Sequence, residues 1–119
     1  MELQPAPDID KEVKNLIEIL SLDYLNHRRI FCFRSHGSTS RARARIWGLP
    51  RIFLIALGCQ PAYCIEVISE KFDRLSEKDK QYTLIHELMH IPKNFSGALV
   101  SHLIRNMSKV NILLKKLYE

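Results

Sequence analysis

The chain contains a helix whose start and end can both be located from the sequence. Ser76, followed by an acid three residues later, is a close relative of the capping box, and it predicts a helix that begins near Glu77. Pro92 cannot extend a helix by donating a backbone hydrogen bond, so the helix should end near Ile91. Whatever the rest of the chain forms, it has to pack around this element.

Within that helix the sequence HELMH has the pattern H-E-x-x-H. His86 and His90 are four residues apart and therefore project from one helical face, with their Cβ atoms about 5 to 6 Å apart. Neutral imidazole is a good zinc ligand. Glu87, one position further round the helix, is placed to reach a metal-bound water rather than the metal. The pattern predicts one zinc per chain, with Glu87 as the general base that activates water for peptide hydrolysis.

A third metal ligand has to come from elsewhere, because catalytic zinc usually has three protein ligands and a water. His102 is the only other histidine after the motif, and residues 93–97 have the composition of a loop that could return the chain to the metal. The sequence leaves five other candidates open: His27, His36, Glu66, Glu70 and Asp73.

The remaining pattern predicts an α+β fold. Apolar residues recur at helical spacing near both ends of the chain, and short β-branched runs lie between them. We expect the first seven residues to be disordered because they are polar and contain two prolines. The predicted elements are an N-terminal helix at residues 8–25, strands at residues 30–34, 41–46, 51–57 and 63–68, the metal-binding helix, and a C-terminal helix at residues 99–117.

Length and composition indicate one ordinary globular domain spanning residues 1–119, with 46% apolar and 26% charged residues. The polar start does not resemble a secretory signal. The longest apolar run, residues 52–57, is too short to cross a bilayer, so we expect a cytoplasmic protein with no membrane partner. The three cysteines include no CxxC pair and are expected to be reduced and packed in the core.

Positive charge is concentrated in residues 25–58, which contain seven arginines and no acid. Arg41, Arg43 and Arg45 alternate with small or apolar residues, which predicts a strand with one basic face. Such a face makes a nucleic acid a candidate partner. The simpler interpretation is a solvated charged surface.

The stretch YTLIHELMHIPKNFSGALVSH, residues 82–102, resembles the signature of short metallopeptidases from phages, archaea and archaeal viruses, and more distantly the SprT-like zincins. The resemblance implies a minimal zincin fold with His86, His90 and His102 as zinc ligands, Glu87 as general base and a peptide or protein as substrate. In zincins the strand before the active-site helix commonly lies at the sheet edge, where substrate adds as a further strand. Residues 63–68 would be that strand, unless they form an interior one.

Two other functions remain compatible with the sequence. The chain could be a nucleic-acid-binding or regulatory module in which zinc is structural and peptidase activity is absent. It could also be a subunit of a larger assembly, since 119 residues leave little room for a deep substrate pocket. The glutamate at position 87 argues against the structural-zinc alternative, because a structural site does not need a base there.

Overall fold

The computed structural model describes residues 1–101 and 104–119, with the backbone alone for residues 104–107. A short 3₁₀ turn at His27–Arg29 precedes the second strand. In chain order the other elements are β1 (Glu2–Pro5), α1 (Pro7–Ile19), β2 (Ile30–His36), β3 (Ala44–Trp47), α2 (Arg51–Leu57), β4 (Tyr63–Ile68), α3 (Ser69–Phe72), α4 (Glu77–Leu88) and α5 (Ile104–Leu117).

The four strands form one mixed sheet in the order β1-β2-β4-β3. The two central strands, β2 and β4, are parallel, and each outer strand is antiparallel to its neighbour. Ile65 in the middle of β4 is paired with Cys32 on one side and Ile46 on the other. The chain therefore has an α+β fold, as the sequence predicts.

One face of the sheet carries the core. Successive side chains of a strand point to opposite faces, and the buried residues Ile30, Cys32, Tyr63, Ile65 and Val67 all belong to the same face. They join one apolar cluster with α1 and α4. The cluster includes Ile9, Val13 and Leu16 from α1 and Leu84, Ile85 and Leu88 from α4. The apolar side of α4 thus packs against the sheet.

Two elements agree closely with their sequence signals. Helix α4 begins at Glu77, and the Ser76 hydroxyl caps it by accepting a hydrogen bond of 3.2 Å from the Asp79 backbone N–H. The helix ends at Leu88, slightly earlier than Pro92 alone predicts, because the chain tightens into a turn in which His90 N–H bonds to Glu87 O. Strand β4 covers the predicted residues 63–68.

The prediction of a buried strand at residues 51–57 is wrong, because these residues form α2. Pro50 lies at the helix N-cap, and Gly58 ends the helix in the left-handed conformation at φ 61°. A short apolar run does not distinguish a strand from a helix. None of the seven α2 residues is buried, so the expectation of burial fails as well.

The first residues and the arginine segment also differ from expectation. Residues 2–5, predicted to be disordered, form β1 and pair antiparallel with β2, because sheet pairing uses backbone groups and tolerates polar side chains at an edge. Strand β3 starts at Ala44, so Arg41 and Arg43 precede it. The predicted strand with three arginines on one face is therefore wrong.

The position of β4 corrects the expectation that residues 63–68 form a sheet edge. Strand β4 lies between β2 and β3 and pairs with both along its length. The edge strands are β1 and β3. Strand β3 follows β2 in the chain but pairs with β4. As a result β4, the strand closest to α4 in sequence, is an interior strand of the sheet.

Arg34 connects three separate parts of the fold. Its guanidinium lies 2.8 Å from the Asp8 carboxylate in α1 and 2.7 Å from the Asp73 carboxylate after α3. Hydrogen bonds from Arg34 hold the pKa of both carboxyls below the usual range. The network therefore fastens α1 and the α3 end to β2 whenever the two carboxylates are ionised.

Replacing Arg34→Gln should lower the free energy of unfolding near pH 7 by about 1 kcal/mol, because solvent screens this half-exposed network. A carboxyl with a depressed pKa stabilises the fold above its unfolded pKa, about 3.9, and loses that contribution as pH falls. The difference between parent and variant should therefore shrink below about pH 4. Denaturant titrations at pH 7 and pH 3 measure both values, with Arg74→Gln as the exposed control; a difference unchanged at pH 3 would contradict the network.

Candidate metal centre

The two motif histidines lie close together, although only His86 is in α4 and His90 is in the turn that follows the helix. Their ring centroids are 5.3 Å apart and the rings are inclined by 61°. Both rings lie on the helix side that faces a cleft rather than the core. Two imidazoles at this separation fit the donor set of a metal that prefers nitrogen ligands.

The orientation of the His90 ring is fixed by the chain that follows α4. His90 Nδ1 lies 2.7 Å from the Val100 carbonyl oxygen, and Val100 N–H donates to the His90 carbonyl at 2.8 Å. A carbonyl only accepts hydrogen bonds, so Nδ1 must carry the proton. The lone pair then resides on Nε2, which is the arrangement found in metal-binding histidines whose other nitrogen is held by a backbone group.

Tyr63, the first residue of β4, positions the segment that contains Val100. Its hydroxyl accepts a hydrogen bond of 2.8 Å from Gly97 N–H and donates one of 2.7 Å to the Ala98 carbonyl. Burial raises the pKa of Tyr63, which keeps the hydroxyl protonated as a donor. Gly97 has φ 95°, and a Cβ there would lie 2.5 Å from the Leu49 carbonyl oxygen, so this close crossing requires glycine.

Glu87 is a buried carboxyl at the same cleft. Only 7% of the residue is exposed, and burial raises its pKa to about 7. A carboxyl in this range can both take and release a proton near neutral pH, which is the property that a general base requires. Its position beside His86 and His90 is therefore chemically suited to proton transfer.

The cleft itself has a volume of about 680 Å³. Helix α4 contributes Tyr82, Thr83, His86 and Glu87, and the turn after it contributes His90. The remaining lining comes from residues 42–46 of the β3 region and residues 99–101. In the sheet formed by the described residues, β3 is an edge strand, and an edge strand can pair with an added chain. The histidines and a strand edge thus share one opening.

His86, Glu87 and His90 line the same cleft, and their roles as metal ligands and base stay predictions. His102 lies outside the described residues. Within residues 1–101 and 104–119 there is no group of three or more His, Cys, Asp or Glu side chains that could hold a metal.

The upstream acids considered as third ligands make hydrogen bonds or ion pairs elsewhere. Glu66 bonds to Arg45 and Trp47, Glu70 accepts from Gly37 N–H, and Asp73 binds Arg34. None of these acids lines the cleft, and neither do His27 and His36. Of the cysteines, Cys32 is buried and Cys59 and Cys64 are half-buried, all with free thiols, and none of them lines the cleft.

Two residues that support the centre were not identified from the sequence. Val100 contributes its backbone carbonyl oxygen. Every residue has this group, so the identity of the side chain gives no sequence signal for the contact. The Tyr63 hydroxyl acts on residues more than thirty positions away. The only available signal was a tyrosine at the start of an otherwise apolar strand, since a buried tyrosine hydroxyl usually has a partner.

The family comparison agrees with this geometry. Residues 1–115 match the family model described as "Putative phage metallopeptidase". The chain belongs to this phage metallopeptidase family. No curated protein and no solved structure matches it. Among the described helices of this family member, none has the length and apolar character needed to cross a membrane.

Replacing Tyr63→Phe should lower the free energy of unfolding by about 1 to 2 kcal/mol, because Gly97 N–H and the Ala98 carbonyl both lose a buried partner. The exposed Tyr118 hydroxyl, which bonds to Gln81, provides the matched control, and Tyr118→Phe should change stability by less than about 0.5 kcal/mol. Denaturant unfolding measures both variants. Equal small effects would show that the Tyr63 hydroxyl does not hold the segment.

Proposed function

We propose that the chain is a zinc-dependent peptidase with a minimal zincin fold. The observation that carries this proposal is the placement of two imidazoles, one of them oriented through Nδ1 by a backbone carbonyl, beside a buried carboxyl in a cleft bounded by a free strand edge. The membership of the family supports the peptidase class.

His86 and His90 would hold the zinc, and we propose His102 as the third protein ligand. When bound, zinc supplies a Lewis acid that lowers the pKa of water to about 7 and polarises a carbonyl. The His90 hydrogen bond to Val100 favours ligation through Nε2 and limits rotation of the ring. The His90 ring would therefore already be oriented for ligation before the metal binds.

Glu87 would act as the general base. Its carboxylate takes a proton from the attacking water and later delivers it to the nitrogen of the leaving amine, so the proton is conserved over the cycle. Burial favours this role because the carboxyl exchanges a proton readily only when its neutral and charged forms are close in free energy. The pKa of about 7 meets that condition.

A peptide substrate would bind along the outer edge of β3. Main-chain hydrogen bonds to residues 44–47 would hold an extended chain beside α4, as in other cases of strand addition. The cleft lining near this edge includes Ile46, Tyr82 and Leu99, which offer apolar contact to substrate side chains. Strand β3 thus takes the substrate-binding part that the sequence suggested for residues 63–68.

The protein should bind one zinc per chain, and His102→Ala should fold normally while binding zinc at least about 10-fold more weakly. Metal analysis and competition with a chromogenic chelator measure stoichiometry and affinity. His36→Ala, outside the cleft, is the matched control and should bind as the parent does. Parental affinity in His102→Ala, with loss in a variant of Glu66, Glu70, Asp73 or His36, would place the third ligand upstream of α4.

Replacing Glu87→Gln should preserve folding and zinc content but reduce hydrolysis of an unfolded protein by at least about 100-fold, because the amide cannot accept the proton. Glu70→Gln is the matched control, since Glu70 is exposed outside the cleft, and it should retain parental activity. Equal activity in parent and Glu87→Gln would refute the proposed base. Zinc binding without hydrolysis in the parent would favour the structural-zinc alternative.

A further inference from the structure

The sheet face opposite the core has an aromatic row at one end. By strand alternation this face carries Phe31, Cys64 and Trp47, which the register places side by side on β2, β4 and β3. Phe31 is 42% exposed and Trp47 is 53% exposed. Large flat rings on two strands thus face outward, and neither ring lines the cleft.

An arginine guanidinium lies close to each of the two rings. The Arg29 guanidinium lies 5.9 Å from the Phe31 ring centroid, and the Arg45 guanidinium lies 5.4 Å from that of Trp47. Arg29 is held in place by hydrogen bonds to the carbonyls of Gln60 and Pro61. The contacts combine planar cations with aromatic rings, as in cation–π pairs.

The single acid that the strand register places on this face is neutralised. Glu66 is only 4% exposed, and its two carboxylate oxygens accept hydrogen bonds of 2.8 and 3.1 Å from Arg45. Trp47 Nε1 donates a third bond of 3.1 Å, which fixes the indole on the surface. No uncompensated negative charge on the strands therefore opposes an anionic ligand, while Arg28, Arg29, Arg41 and Arg43 come from the acid-free segment.

We propose that this open end of the sheet, defined by Arg29, Phe31, Arg45 and Trp47, binds single-stranded nucleic acid. Exposed bases would stack on the Phe31 and Trp47 rings and on the guanidinium planes, and phosphates would contact Arg28, Arg29, Arg41 and Arg43. A flat aromatic surface selects unpaired bases, because the bases of a duplex are already stacked on one another. Charge complementarity and exposed rings together favour this ligand over an acidic peptide, which supplies charge without planar bases.

The proposed site does not include the metal ligands. Arg45 also lines the cleft, whereas Arg29, Phe31 and Trp47 do not, and none of the four defining residues is a proposed metal ligand. The Glu87→Gln protein should therefore bind the same oligonucleotide as tightly as the parent, with or without zinc. Absence of peptidase activity would not contradict nucleic-acid binding, and absence of nucleic-acid binding would not contradict peptidase activity.

Trp47 is the only tryptophan of the chain, so its fluorescence reports on the site directly. The probe is a 12-nucleotide oligothymidylate, titrated into the full-length protein at low salt, with a matched duplex and heparin as comparisons. The single strand should quench Trp47 and bind more tightly than the duplex, while heparin should bind without comparable quenching. Absence of binding or quenching by the single strand would overturn the proposal.

Substitutions distinguish the contribution of ring stacking to binding from the contribution of charge. Phe31→Ala and Trp47→Ala should each weaken single-strand binding by at least about 5-fold, and Trp47→Phe should restore most of the affinity, as measured by fluorescence anisotropy of a labelled strand. Arg29→Gln should reduce the slope of log affinity against log salt by about one unit. The matched controls are Phe53→Ala and Arg51→Gln on α2, which should bind as the parent does; Phe53 is 51% exposed.

Other occupants of this face give different outcomes, each of which would overturn the proposal. If a second copy of the chain covers it, Trp47 emission will shift with protein concentration in the absence of nucleic acid, and Trp47→Ala will lower the mass in solution. If an acidic protein covers it, polyglutamate will quench Trp47 more strongly than the oligonucleotide. If the surface meets lipid, vesicles with anionic headgroups will quench Trp47 where the single strand does not.

Discussion

The hydroxyl of Tyr63 holds together the three parts that make the candidate centre. It belongs to the first residue of β4, and its two hydrogen bonds fix Gly97 and Ala98 in the segment after α4. That segment delivers the Val100 carbonyl to His90 Nδ1. The ring orientation of His90, in the turn after α4, therefore depends on a strand residue. Since the hydroxyl is buried, replacing its partners with water is not an easy alternative.

Local signals account for the elements that the sequence predicted correctly. The Ser76 cap, the i,i+4 spacing of His86 and His90, and the β-branched run of β4 each depend on residues close together in the chain. The α+β class and the pairing of the two histidines with Glu87 could be predicted for that reason. His102 as the third ligand stays a prediction, because it lies outside the described residues.

The errors occurred where the outcome depended on distant partners. The apolar residues of α2 suggested burial, yet burial requires another element to cover them, and none of the described elements buries a residue of α2. The alternating arginines suggested a strand with one basic face, but β3 begins only at Ala44, and Arg45 has a carboxylate partner in β4. The order of strands was equally hidden, because the parallel pairing of β2 with β4 places β3 at the edge.

Two buried glutamates show how surroundings assign different chemistry to one residue type. Burial alone would raise the pKa of Glu66, but hydrogen bonds from Arg45 and Trp47 outweigh it and hold that pKa below its usual value. At Glu87 burial dominates, and the pKa rises to about 7. Glu66 is therefore a fixed anion that orders Arg45 and Trp47 on the open sheet face, whereas Glu87 can exchange a proton in the cleft. Carboxyls whose pKa values are displaced in opposite directions serve different roles, and here the difference comes from the partners, because Glu66 has Arg45 and Trp47 as donors whereas desolvation is the cause at Glu87.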